Sequence, residues 1–109
     1  MSPISSDATC LDLIARLAEP AVLATGTYLG ALSHTLTALA ALRARAVTVR
    51  AIVVSESAGG VGLMETVESL REFGGRDLPL FTVPRLVGDP ESRWRTAPSL
   101  TGICEAHHE

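Results

Sequence analysis

Lysine is absent from this chain of 109 residues: all nine basic residues are arginine. A phosphate-binding loop built on a lysine ammonium is therefore excluded. Long apolar runs are missing too. No stretch approaches the roughly 20 residues that a membrane-spanning helix needs, so no span is expected. The first ten residues, MSPISSDATC, contain neither a basic nor an apolar region of the export-signal kind, and a cytoplasmic protein is expected. Cysteine is scarce. Cys10 and Cys104 lie near opposite ends without metal-site spacing, and both read as reduced thiols. Excess positive charge is lacking as well. With a formal net charge of −3 and scattered arginines, the composition gives no support for a nucleic-acid surface. Aromatics amount to one tryptophan, one tyrosine and two phenylalanines.

What is present reads as one small α/β domain. Thr9 followed by Asp12 signals a helix start, and a helix is expected over residues 10–18 with Leu13, Ile14 and Leu17 on its buried face. Asp12 and Arg16 stand at the spacing of a helical ion pair. Pro20 stops that helix and opens a buried strand over residues 21–25. A second helix is expected over residues 31–45, with Leu32, Leu36, Leu39 and Leu42 at helical spacing. Residues 47–54 are almost wholly apolar or β-branched, which suits a strand covered on both faces, as in parallel sheets. A glycine-bearing loop at 58–62 leads to a third helix over 63–73, with Leu63, Val67, Leu70 and Phe73 inward and Gly74-Gly75 ending it. Residues 80–83 form a third short strand. The order α-β-α-β-α-β argues an α/β fold of about three parallel strands with flanking helices. Residues 1–86 make this domain. Residues 87–109 are a polar extension with one short helix near 99–105. So small a sheet leaves apolar edges and looks like part of a larger one.

Ligands of open α/β sheets gather at the carboxyl ends of the strands. After the first strand, the turn 26–33 brings the N–H groups of Gly30, Ala31, Leu32 and Ser33 to that edge, where a helix N-terminus favours a carboxylate or phosphate. From spacing alone the plainer reading is favoured, with Gly30 a turn residue and Ser33 a cap. Ser55-Glu56-Ser57, at the end of the second strand, face a ligand or simply begin a loop, and the loop is favoured. Gly59-Gly60-Val61-Gly62 lacks the Gly-Lys-Ser/Thr that completes a Walker loop, and that reading is rejected. His34 is read as a packed or hydrogen-bonded structural histidine. His107 and His108 are read as part of a solvated tail rather than a metal site. No histidine is placed to activate Cys104.

Three runs carry a family resemblance: SPISSDATCLDLIARL, then PAVLATGTYLGALSHTLTALAALRARAVTVRAIVVSES, and LFTVPRL. Over about residues 2–86 they resemble the C-terminal half of dethiobiotin synthetase, and Leu29-Gly30-Ala31-Leu32-Ser33-His34-Thr35 is the most specific part. The resemblance implies the C-terminal part of a three-layer P-loop NTPase-like (Rossmann-like) fold, a homodimer, and a magnesium- and ATP-dependent ligase of biotin biosynthesis. That ligase closes a ureido ring on 7,8-diaminopelargonic acid with carbon dioxide. Residue by residue, it implies that Leu29, Gly30, Ala31, Leu32 and Ser33 bind the substrate carboxylate across the dimer interface. It also implies that Ser55 recognises the adenine base of the nucleotide and that Pro84, Arg85 and Leu86 lie against it. The family often has asparagine where this chain has Ser33, and asparagine again where it has Ser55. Serine is shorter and lacks the amide's paired donor and acceptor.

In that family the Walker loop, a second catalytic lysine and the acidic magnesium ligands precede the matched region. Met1-Ser2-Pro3-Ile4 then corresponds to an interior stretch of the complete enzyme. Phosphoryl transfer needs charge clamped on the γ-phosphate and a bound metal. A chain without lysine is expected to bind neither ATP nor Mg2+ strongly by itself and to be inactive alone. Its partner is then a missing N-terminal half or a second copy. The alternative is a non-catalytic dimerisation or interaction module, motivated by the exposed edge of strand 21–25. Cobyrinic acid amidases and partition ATPases share the superfamily but are not expected to show the Leu-Gly-Ala-Leu-Ser-His-Thr run.

Overall fold

The first helix forms because its start closes on itself. Helix α1 (Cys10–Leu17) is capped by Thr9, whose hydroxyl accepts the Asp12 N–H at 3.3 Å while the Asp12 carboxylate accepts the Thr9 N–H at 2.8 Å. The computed structural model describes residues 2–74, 77–86, 88–91 and 93–105. Gly75, His107, His108 and the Cys104 side chain, all named from the sequence, lie outside the described residues. Only part of the α1 stripe faces inward. Leu11 and Ile14 pack on the core, whereas Leu13 and Leu17, expected to be buried, are exposed. The expected Asp12–Arg16 pair is also replaced. One Asp12 oxygen serves the cap, and the other accepts the Arg45 guanidinium at 2.8 Å.

That arrangement has a pH signature. The Arg45 guanidinium, followed by the backbone and side-chain bonds from Thr9, lowers the Asp12 pKa to about 2. The folded value lies below that of the unfolded chain, near 3.9. The contribution is therefore complete above about pH 4 and is lost as pH falls through about 2. In urea unfolding followed between these limits, Asp12→Asn is expected to flatten the acid limb and to meet the wild type at the low-pH end. Parallel limbs across the range would refute this assignment.

Three strands, β1 (Ala21–Gly26), β2 (Val49–Ser55) and β3 (Leu80–Val83), form one parallel sheet in the order β1-β2-β3. Helix α2 (Ala31–Ala44) connects the first pair and α3 (Leu63–Phe73) the second. The core joins Leu39 and Leu42 of α2, Val49, Ile52 and Val54 of β2, and Val67 and Leu70 of α3. β2 starts two residues later than the apolar run suggested. The Ala46 N–H donates to the Arg43 carbonyl and the Val47 N–H to the Leu42 carbonyl, each at 3.0 Å, with Ala46 at φ 60. Val47 thus closes the end of α2 instead of extending the strand. The register pairs Ala21 with Val49 but Val22 with Ala51, stepping over Arg50. This bulge resets the alternation and lets Val49 share a core face with Ile52 and Val54.

β1 is an edge strand, as is β3, and it is not the buried strand expected. Leu23 packs on the core, while Val22 and Ala24 are exposed on the opposite face. The register aligns Ala24, Val53 and Phe81 across that second face. A four-residue helix, Gly102–Glu105, folds back beside Phe81 and is shorter than the helix expected at 99–105. A 3-10 turn at Arg93–Thr96 was not foreseen. On α3, Phe73 is 64% exposed and Thr66 is buried instead, its hydroxyl returned to the Gly62 carbonyl at 3.1 Å. Among the described residues no helix is long and apolar enough to cross a membrane.

Candidate functional site

The three strands end in one register row, Gly26–Ser55–Val83, and the loops that follow are tied to one another. Between the first two loops the tie is reciprocal. The Thr27 N–H donates to Ser57 Oγ at 3.0 Å, and the Ser57 N–H donates to Thr27 Oγ1 at 2.9 Å. The Thr27 carbonyl accepts the Val61 N–H at 2.8 Å, and Thr27 itself is wholly buried. Gly60 passes so close that a Cβ there would overlap the Thr27 carbonyl oxygen. Below this staple, Thr25 Oγ1 and Thr35 Oγ1 lie 2.6 Å apart, and Thr35 also donates to the Ala31 carbonyl at 2.7 Å. Thr25 and Thr35 anchor the end of β1 to α2, and Thr27 and Ser57 join the loops after β1 and β2. The polar residues at both strand ends were the only sequence signal of such anchoring.

Around the start of α2, Leu29 is 90% exposed and Ser33 is exposed, while Ala31 is buried and Leu32 half-buried. Gly30 is the N-cap at φ 90, and no side chain caps the helix, so Ser33 is not the cap the sequence favoured. Of the four N–H groups expected at this edge, that of Ala31 donates to the Tyr28 carbonyl at 3.0 Å. Those of Leu32 and Ser33 have no partner among the described residues, and the first turn of α2 carries no acidic side chain. Positive helix-end potential is thus left uncompensated within α2. Tyr28 Oη lies 3.3 Å from His34 Nδ1, consistent with a hydrogen-bonded structural histidine. Beside this terminus is a hollow of about 170 Å3 lined by Tyr28, Leu32, Val61, Glu65 and Ser69.

At the ends of β2 and β3, Ser55, Pro84, Arg85 and Leu86 line a single cleft of about 250 Å3, joined by Glu56 and Arg93. Two hydrogen bonds hold its walls together: Glu56 N–H to the Val83 carbonyl at 2.8 Å, and Arg85 N–H to Glu56 Oε1 at 2.9 Å. Arg93 reaches the cleft from the 3-10 turn, in a segment that reads as loose from the sequence. The two candidate groups remain separate hollows on the same edge of the sheet. A further hollow of about 180 Å3, between α1 and the end of α2, includes Pro20 and Thr48 and lies at the amino ends of the strands. Parallel α/β sheets seldom place ligands there.

A triphosphate with magnesium does not fit these residues. Among the described residues no group of three or more His, Cys, Asp or Glu is placed to hold a metal. The glycine-bearing loop before α3 is closed against Thr27, and its Val61 N–H is engaged there.

A family model described as an AAA domain matches residues 1–88. An ATP-dependent dethiobiotin synthetase of Phenylobacterium zucineum is 52% identical over 87 residues, covering 78% of this chain and 37% of the relative. That of Caulobacter sp. (strain K31) is 47% identical over 85 residues, 78% of this chain and 36% of the relative. That of Haloferax mediterranei is 31% identical over 105 residues, 94% of this chain and 42% of the relative. The chain thus spans well under half the length of these curated relatives.

Proposed function

The chain belongs to the AAA domain family, and on that premise we propose that it supplies one wall of a dethiobiotin synthetase-like ligase. In this reading the start of α2, from Leu29 through Gly30, Ala31 and Leu32 to Ser33, holds the carboxylate of 7,8-diaminopelargonic acid. Ser55, Pro84, Arg85 and Leu86 hold the nucleotide base. The observation that carries it is the convergence of these last four residues, 29 or more positions apart in part, into one cleft at the carboxyl edge of the sheet. The unpartnered N–H groups of Leu32 and Ser33 support the carboxylate assignment. The triphosphate of ATP and Mg2+ are held by parts of the enzyme that this chain does not match, and ring closure takes place in the cytoplasm in a homodimer. The chain has no lysine to clamp a transferring γ-phosphoryl group, so the isolated polypeptide is expected to form no dethiobiotin.

The test is co-expression with the N-terminal portion of a curated relative, assayed with diaminopelargonic acid, bicarbonate, ATP and Mg2+. Dethiobiotin is expected from the combination and not from the chain alone. Turnover by the chain alone would overturn the one-wall reading. A second reading, a non-catalytic dimerisation module, draws on the bare edge and exposed Val22–Ala24 face of β1. A stable homodimer that stays inactive in the combination would favour it.

A further inference from the structure

The base cleft contains a carboxylate that the family resemblance left without a role. Glu56 is half-buried, lines the cleft, and gives only one of its oxygens, Oε1, to the protein, as acceptor of the Arg85 N–H at 2.9 Å. Oε2 accepts no hydrogen bond from the described residues. The same contact changes what the wall offers a ligand. Pro84 has no N–H, and that of Arg85 is engaged by Glu56, so two consecutive positions of the β3 loop present no backbone donor to the cleft. Next to them stands an exposed serine, Ser55, whose hydroxyl makes no hydrogen bond to the described residues. Beside the Arg85 and Arg93 guanidiniums, Glu56 Oε2 and the Ser55 hydroxyl are therefore the side-chain acceptors that this wall offers to a donor on the ligand.

Building on the nucleotide-base assignment above, we propose that Glu56 determines specificity in this cleft. Its free carboxylate oxygen accepts a hydrogen bond from the exocyclic amine of a nucleobase, while its other oxygen holds the Arg85 loop in place. A charge-assisted bond of this kind rewards a base carrying the amine and penalises one without it, because the carboxylate is then desolvated without a partner. This chemistry supplies discrimination at a position where a lone serine, with one hydroxyl, supplies little.

The experiment is a titration of the full chain with adenosine, and with purine riboside, which lacks only the amine, followed by the amide resonances of Ser55, Glu56, Arg85 and Leu86. Adenosine is expected to move these signals and to bind about tenfold more tightly than purine riboside. Glu56→Ala is expected to bring the two affinities together. Glu56→Gln keeps an acceptor for Arg85 and should retain only a few-fold preference, since a neutral acceptor makes the weaker bond. Unperturbed amide dispersion away from the cleft shows that both variants remain folded. If adenosine moves none of the four amides, the base assignment falls and this inference with it. If adenosine binds but the wild type does not prefer it, or Glu56→Ala keeps the full preference, the inference alone is overturned.

Discussion

Gly60→Ala is expected to destabilise the chain by about 3 kcal/mol, the upper end of the range for forcing an extra carbon into a packed site. The added Cβ would overlap the Thr27 carbonyl oxygen and lie 2.8 Å from its carbon, both backbone atoms. Backbone cannot rotate out of the way as the end of a flexible side chain can. Thr27 is, moreover, held by three further hydrogen bonds: two to Ser57 and one from Val61. Relief therefore requires the loops after β1 and β2 to part, with loss of some of these bonds. The opposing effect, a stiffer unfolded chain on replacing glycine by alanine, is about 0.4–1 kcal/mol and is outweighed. Equilibrium urea unfolding followed by far-ultraviolet circular dichroism measures the difference. A midpoint equal to that of the wild type would show that the two loops are not held in contact.

Thr27→Val tests the same staple without adding volume. The change conserves shape at a fully buried position but removes the acceptor of the Ser57 N–H. A buried donor left without a partner costs about 1–3 kcal/mol, and about 2 kcal/mol is expected here. Ser57→Ala removes the acceptor of the Thr27 N–H and should cost a similar amount. Because the two bonds close one ring, the double variant is expected to lose less than the sum of the singles. Simple additivity would mean that the two bonds act independently. These residues touch neither candidate ligand group directly. They fix the spacing between the start of α2 and the β2–β3 cleft.

The sequence was informative where a signal is local. Helix α3 and strand β3 run over the expected residues, because Gly62 and Pro84 flank runs of clear periodicity. Thr9 and Asp12 announced a capping box three residues wide. The gathering of Ser55 with Pro84, Arg85 and Leu86 followed from the resemblance, and parallel register brings their strand ends together. Helical spacing identified stripes but not how much of each would find a partner. Leu13, Leu17 and Phe73 stay exposed, while Thr35 and Thr66 are buried through bonds to carbonyls four residues back. β2 starts late because Val47 is drawn to the end of α2 through the left-handed turn at Ala46, a conformation that alanine does not advertise.

By itself, then, the sequence determined the order of helices and strands, the absence of a lysine-based phosphate clamp, and the edge at which the candidate site's loops emerge. Those properties depend on residue type and on neighbours a few positions away. Only the tertiary structure decided that Asp12 pairs with Arg45 rather than Arg16, that Thr27 and Ser57 close on each other, and that Glu56 holds the Arg85 loop. Each of these contacts joins residues about thirty positions apart. In the last two the partners are chosen by the parallel register of the sheet, which places strand ends side by side however far apart they lie along the chain, whereas Asp12 meets Arg45 where α1 packs beside the end of α2.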